Sequence, residues 1–157
     1  MLKKIALWVL VLSCMGIIFF FSSQEASEST QTSSLFITGF VKFFDFNDAL
    51  TEMQIKEIAV NLTKIVRKGA HFSIYAFLSL LLSLLINEYQ VHGWKMTKLS
   101  TMICFFYACS DEIHQMFVPG RSAQISDILI DTLGAFSGAV FLMVILRFIT
   151  KYRLHRG

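Results

Sequence analysis

The ionisable and hydrogen-bonding side chains of this 157-residue chain gather at a few places beside apolar runs. Arg67, His71 and Tyr75 are spaced i, i+4, i+8 and so share one helix face. Asp111, His114 and Gln115 fall within about a 100° arc of a helix, with Glu112 at its edge. Asp127 and Asp131 lie one turn apart, Ser23 and Gln24 close the first apolar run with Ser22, and Arg121 follows a Pro119-Gly120 turn. A histidine beside a carboxylate is the combination for general acid–base work, and an arginine fork suits a phosphate or carboxylate. The candidate catalytic residues are therefore His71 and His114 as bases, oriented by Asp131 or Asp111. Candidate ligand contacts are Arg67, Tyr75, Glu112, Gln115, Arg121, Asp127, Ser23 and Gln24. The same His and Asp residues are acceptable metal ligands, but no H-x-x-x-H or C-x-x-C pair is present and no metal or cofactor is expected.

Each of these residues has a plainer use as a structural pair holding helices in register. Together they argue otherwise, because ionisable groups at membrane depth are costly and a bundle that needed only stability would use small apolar residues. No Gly-rich phosphate loop, nucleophile elbow or dinucleotide fingerprint occurs.

The elements that must carry these side chains are membrane spans. The chain is 55% hydrophobic and 16% charged, with a mean hydropathy of +0.61, whereas soluble domains carry roughly a quarter charged residues. Its net charge of +3 comes from basic residues flanking apolar runs, which is topology information and not a nucleic-acid footprint. The spans are expected at about 5–21, 70–86, 99–118 and 128–149 of a single domain, 1–157. The third is the contestable one. It is apolar only to Cys109, and reaching spanning length takes it through Ser110 to Gln115. Cys14, Cys104 and Cys109 all lie in apolar stretches and read as small hydrophobes. Val11-Leu12-Ser13-Cys14 only loosely matches a lipoprotein box, and the first span reads as an uncleaved anchor.

Lys3, Lys4, Lys95, Lys98, Arg147, Lys151, Arg153 and Arg156 fall on one side of a four-span arrangement, so the positive-inside rule predicts an all-α bundle with both termini in the cytoplasm. The polar residues then converge at the outer leaflet. The long external loop is expected to hold an amphipathic interfacial helix that starts from Asn47 or Asp48 and leads into the second span, with aromatic-rich Leu35 to Phe46 dipping into the interface. Gly134 and Gly138 form a G-x-x-x-G pattern continuing the Asp127/Asp131 face, which predicts a close helix contact there and both aspartates turned into the bundle.

Phe19-Phe20-Phe21-Ser22-Ser23-Gln24, Arg67-Lys68-Gly69-Ala70-His71-Phe72 with Tyr75, the block Ser110 to Arg121, and Asp127, Asp131, Gly134 and Gly138 closely resemble the VanZ-like membrane proteins of bacteria. The S-D-E-x-H-Q-x-F-V-P-G-R block is long and specific, and the resemblance runs through all four spans in order. It implies a multi-pass protein of the bacterial cytoplasmic membrane, related to one that confers low-level resistance to teicoplanin, a lipid-tailed glycopeptide antibiotic. It implies no settled reaction. Expected partners are membrane lipids and a lipid-linked cell-wall precursor or lipoglycopeptide, with no nucleic acid. The leading expectation is a cell-envelope protein that engages such a ligand at an outer-leaflet polar site. The alternative is an intramembrane enzyme acting on a phospholipid, isoprenoid phosphate or cell-wall precursor.

Overall fold

The computed structural model describes residues 1–24 and 51–154, with 37 and 39 between them. Four long helices dominate: α1 (Leu2–Ser22), α2 (Glu52–Asn87), α3 (Gly93–Gln115) and α4 (Ile125–Leu154). Among the described residues there is no strand. The Leu35–Phe46 stretch and the caps expected at Asn47 or Asp48 lie outside the described residues.

α2 starts at a Thr51 N-cap. The Thr51 hydroxyl accepts from the Gln54 amide (3.4 Å), and the Gln54 side chain accepts from the Thr51 amide (2.9 Å). This reciprocal pair satisfies two of the amides that a helix start leaves unpaired. From there the helix continues without a break through 36 residues, about 54 Å at 1.5 Å per residue. The amphipathic segment and the second span are thus one helix. Its length exceeds a hydrocarbon core of about 30 Å, so the N-terminal part extends past the apolar window that begins at Ile65.

Among the described residues three helical stretches are long and apolar enough to cross a membrane: Leu2–Ser22, Ile65–Asn87 and Ile125–Tyr152. α3 is not among them, although its 23 residues are long enough. Lys95 and Lys98 near its start and Asp111 and Glu112 near its end dilute its apolar character. It also begins six residues before the expected Leu99 and stops at Gln115, with Met116 to Val118 forming turns beyond it.

Contacts between named side chains fix how the helices run. Lys3 bonds Glu88, and Trp8 Nε1 donates to the Tyr89 hydroxyl at 3.3 Å, so α1 and the end of α2 meet head to tail. Ser83 donates to Ser100 at 2.9 Å in a fully buried bond between α2 and α3, an interhelical polar link of the kind that substitutes for hydrophobic drive in lipid. Tyr107 donates to the Met15 carbonyl at 2.7 Å, tying α3 to α1. The core runs through Val11, Ile18, Tyr75, Leu78, Cys104 and Ala135, and the free thiols Cys14 and Cys104 are buried in it as expected. Large apolar side chains such as Phe20, Leu133 and Phe141 remain exposed on the outside of the bundle, the surface a bilayer would cover.

The G-x-x-x-G pattern finds its partner in α2. A Cβ on Gly134 would sit 2.2 Å from the Phe72 carbonyl oxygen, and one on Gly138 would sit 2.0 Å from that of Ala76. Two glycines therefore allow α2 and α4 to run side by side, in the same direction, at backbone contact distance. This contact sets the register of every polar pair above it.

Candidate polar site

One end of the bundle collects the polar residues. On α2 and α4 they form a ladder continuing the glycine contact: Lys68 Nζ lies 3.2 Å from Asp127, and His71 Nδ1 lies 3.6 Å from Asp131. Asp131 is fully buried, and both of its carboxylate oxygens lack a hydrogen-bond partner. The His71–Asp131 approach is within ion-pair range but just longer than a hydrogen bond. Both aspartates turn into the bundle, as their place above Gly134 and Gly138 predicts.

Beside this ladder a cavity of about 300 Å³ opens between α1, α2 and the α3–α4 loop. Arg67, His71, Arg121, Ser22 and Gln24 supply its polar wall, while Ile18, Ile74 and Val66 are among its apolar lining. Arg121 reaches across to the Phe21 carbonyl at 3.4 Å, anchoring the loop to the end of α1. Burial, with the nearby charge of Arg67, pulls the Arg121 guanidinium below its ordinary value, against the opposing pull of Asp111 and Glu112. Two guanidiniums thus line one small cavity, an arrangement that an anion between them would complement.

The remaining expected residues are placed as follows. Tyr75 lies one turn below His71, fully buried, with its hydroxyl unpartnered and its ring 6.2 Å from that of Tyr107. Asp111 is buried and accepts from Gln115 at 3.2 Å, leaving its second oxygen unpartnered. Glu112 accepts from the Gln124 amide at 2.7 Å, immediately before the first residue of α4. It therefore has a positioning task, holding the loop that carries Arg121. His114 stacks on Phe19 with ring centroids 4.4 Å apart and its Nε2 buried without a partner. It is the one expected base that the structure turns toward α1 rather than toward the His71–Asp131 pair. Among the described residues no three His, Cys, Asp or Glu side chains form a group that could hold a metal ion.

Ser23 and Ser22 exchange roles. Ser23 bonds back to the Phe19 carbonyl at 2.6 Å and is exposed, whereas Ser22 is buried and lines the cavity with its hydroxyl unpartnered. The buried residues of α1 are Leu7, Val11, Cys14, Ile18 and Ser22, steps of four and three that keep one face. That stripe is readable in the sequence and would have selected Ser22.

Buried polar atoms are normally hydrogen-bonded, with about nine in ten or more finding a partner. Here unpartnered atoms of Ser22, His71, Tyr75, Asp111, Glu112, His114, Arg121 and Asp131 all lie at this end. Among the described residues, Ser79 and Thr101 also bury an unpartnered hydroxyl elsewhere in the bundle, so most but not all such atoms gather here.

The model of the VanZ/LLP1 family matches residues 7–147, nearly the whole described bundle and both walls of the cavity. The chain belongs to the VanZ/LLP1 family. No curated protein and no solved structure matches it. With three apolar helices long enough to span a bilayer and this family assignment, the chain is a VanZ-like membrane protein.

Proposed function

We propose that this VanZ-like protein is a multi-pass protein of the bacterial plasma membrane whose cavity engages the anionic head group of a lipid-linked or lipid-tailed ligand at the outer leaflet. The ligand class is a lipid-linked cell-wall precursor or a lipoglycopeptide such as teicoplanin, and engagement alters glycopeptide sensitivity. In this reading α3 is the fourth span. Its lysines lie at the cytoplasmic end, Asp111 and Glu112 are buried at the other, and both termini are cytoplasmic.

The observation that carries the reading is the make-up of the cavity: the guanidinium-bearing Arg67 and Arg121 line it together with apolar Ile18, Val66 and Ile74. A head group with a tail needs both. Native mass spectrometry of the detergent-extracted protein, incubated with a lipid-linked disaccharide precursor or with teicoplanin, tests it. The double variant R67Q/R121Q should weaken retention by about a hundredfold, at roughly tenfold per charged hydrogen bond, while its melting temperature stays near that of the wild type. Equal retention by both proteins would remove the reading.

A second reading, an intramembrane enzyme acting on a phospholipid, isoprenoid phosphate or precursor, is favoured by one arrangement. His71 lines the cavity while its Nδ1 faces a buried carboxylate, the orientation of a general base. Incubation with each substrate class and His71→Gln separates the two: loss of product with binding retained supports turnover, and no product from the wild type supports binding alone.

A further inference from the structure

Among the described residues a second cavity, larger than the one beside Arg67, is at the opposite end of the bundle. A cleft of about 730 Å³ opens between the end of α2, the start of α3 and the last turns of α4. Its wall has two chemistries. Met96 and Met143, both buried, and half-buried Leu146 form an apolar floor, and Arg147 and Lys151 stand at its rim.

Neither cation is matched. Among the described residues Arg147 and Lys151 have no acidic partner and no hydrogen bond, in contrast to Lys3 and Lys68, which each hold a carboxylate. Among the described residues the one acid at this end, Glu88, is taken by Lys3. His92 is occupied by Asn87 at 2.7 Å. The guanidinium of Arg147 also lies beside the start of α3, where a Cβ on Gly93 would meet Arg147 Nη2 at 4.0 Å. That helix start has no side-chain cap and no acid in its first turn. A helix N-terminus carries partial positive charge, so a cation beside it has the wrong sign. Three positive features thus face one cleft whose floor is apolar.

We propose that this cleft is a binding site for an acidic phospholipid, with the phosphate of the head group against Arg147 and Lys151 and an acyl chain along Met96, Met143 and Leu146. Charge complementarity selects an anion, and the methionine floor selects one that carries a hydrocarbon tail. Methionine suits such a floor, since its unbranched thioether adapts to chains of different shape. The site is separate from the Arg67–Arg121 cavity and rests only on the chain spanning a bilayer, in either orientation.

Trp94 is exposed and follows Gly93, which lines the cleft, so its fluorescence samples lipid at the edge of the cleft. In a Trp8→Phe background it is the sole tryptophan. The full chain is reconstituted in bilayers containing brominated-chain phosphatidylglycerol or brominated-chain phosphatidylcholine, and relative affinity is read from Trp94 quenching. The expected result is a clear preference for phosphatidylglycerol that falls roughly fivefold per cation removed, about twenty-five-fold in R147Q/K151Q, and survives in R67Q/R121Q. Raising the ionic strength from 0.05 to 0.5 M should weaken the preference in the unaltered site, which tests the charge contribution without any variant of it. Equal quenching by the two lipids, a preference that survives R147Q/K151Q, or full displacement by glycerol phosphate at the lipid's own concentration would each overturn the proposal. The last of these would mean that the apolar floor contributes nothing.

Discussion

Gly138 of α4 lies directly against the backbone of Ala76 in α2, so that a methyl group at position 138 would fall 2.0 Å from the Ala76 carbonyl oxygen. No rotamer relieves a clash between a Cβ and a backbone atom, so the helices themselves must separate. Gly138→Ala and Gly134→Ala should each cost roughly 1–3 kcal/mol or more, measured by denaturant unfolding in micelles. The control is Gly69→Ala in α2, where a Cβ meets nothing within 4 Å and the change should be neutral or slightly stabilising. Equal effects at positions 69 and 138 would mean that the helices do not pack at this distance.

The same contact places His71 opposite Asp131. Asp131 is fully buried, and the His71 ring lies 3.6 Å from it. Removing either side leaves a buried polar group uncompensated, which costs about 3–5 kcal/mol for a buried pair. Losing both should cost less than the sum. A double-mutant cycle with His71→Gln and Asp131→Asn is expected to give a coupling of about 1–3 kcal/mol in unfolding free energy. Additive losses would show that the two side chains act separately.

How far the sequence foretold this arrangement depends on whether a feature is carried by one helix or by several. The glycine pair and the aspartates of α4 share a helix, so their common face followed from spacing and the structure keeps it. The grouping of Arg67 with His71 followed in the same way. Which partner each face meets is a tertiary fact. Glu112 was readable as a polar residue near the site, but its bond to the Gln124 amide depends on a loop folding back over twelve residues. His114 faces Phe19 for a similar reason. The cleft between Met96, Met143 and Arg147 joins two helix ends distant in sequence, where Arg147 and Lys151 read only as markers of the cytoplasmic side. The apolar pattern also failed for α3, because a helix that packs charged groups inside a bundle has a composition intermediate between a span and a soluble helix.

At the other end of α1, Lys3 holds Glu88, Lys4 sits 4.3 Å from the Tyr89 ring centroid, and Trp8 bonds the Tyr89 hydroxyl. The hydrogen bond from Lys3, aided by the charges of Lys3, Lys4 and the amino terminus and opposed by slight desolvation, holds the Glu88 carboxyl below its ordinary value. A lowered folded value means that the contact stabilises at pH above the ordinary carboxyl range near 4.3 and is lost as pH falls through the lowered value. The distance between spin labels on α1 and the end of α2 should therefore broaden on acidification below the ordinary carboxyl range. Glu88→Gln should show the broadened distribution at every pH, and a distribution in the wild type that ignores pH would exclude this anchor.

Glu112 separates a residue that touches the ligand from one that positions another residue. Its carboxylate accepts from the Gln124 amide at the start of α4, and the loop between them carries Arg121 to the cavity. A glutamine carbonyl can accept the same bond, so Glu112→Gln should retain the ligand within a factor of about three of the wild type, with neutral replacing charge-assisted acceptance. Glu112→Ala removes the acceptor, frees the loop and should weaken retention about as much as Arg121→Gln does. The double variant E112A/R121Q should then be no worse than R121Q alone, since a loosened loop no longer matters once it carries no guanidinium. Native mass spectrometry with the same precursor or glycopeptide reads all four proteins. A strong loss in Glu112→Gln, or additive losses in the double variant, would instead put the Glu112 carboxylate in direct contact with the ligand, where its negative charge would have to meet a cationic group on the molecule bound.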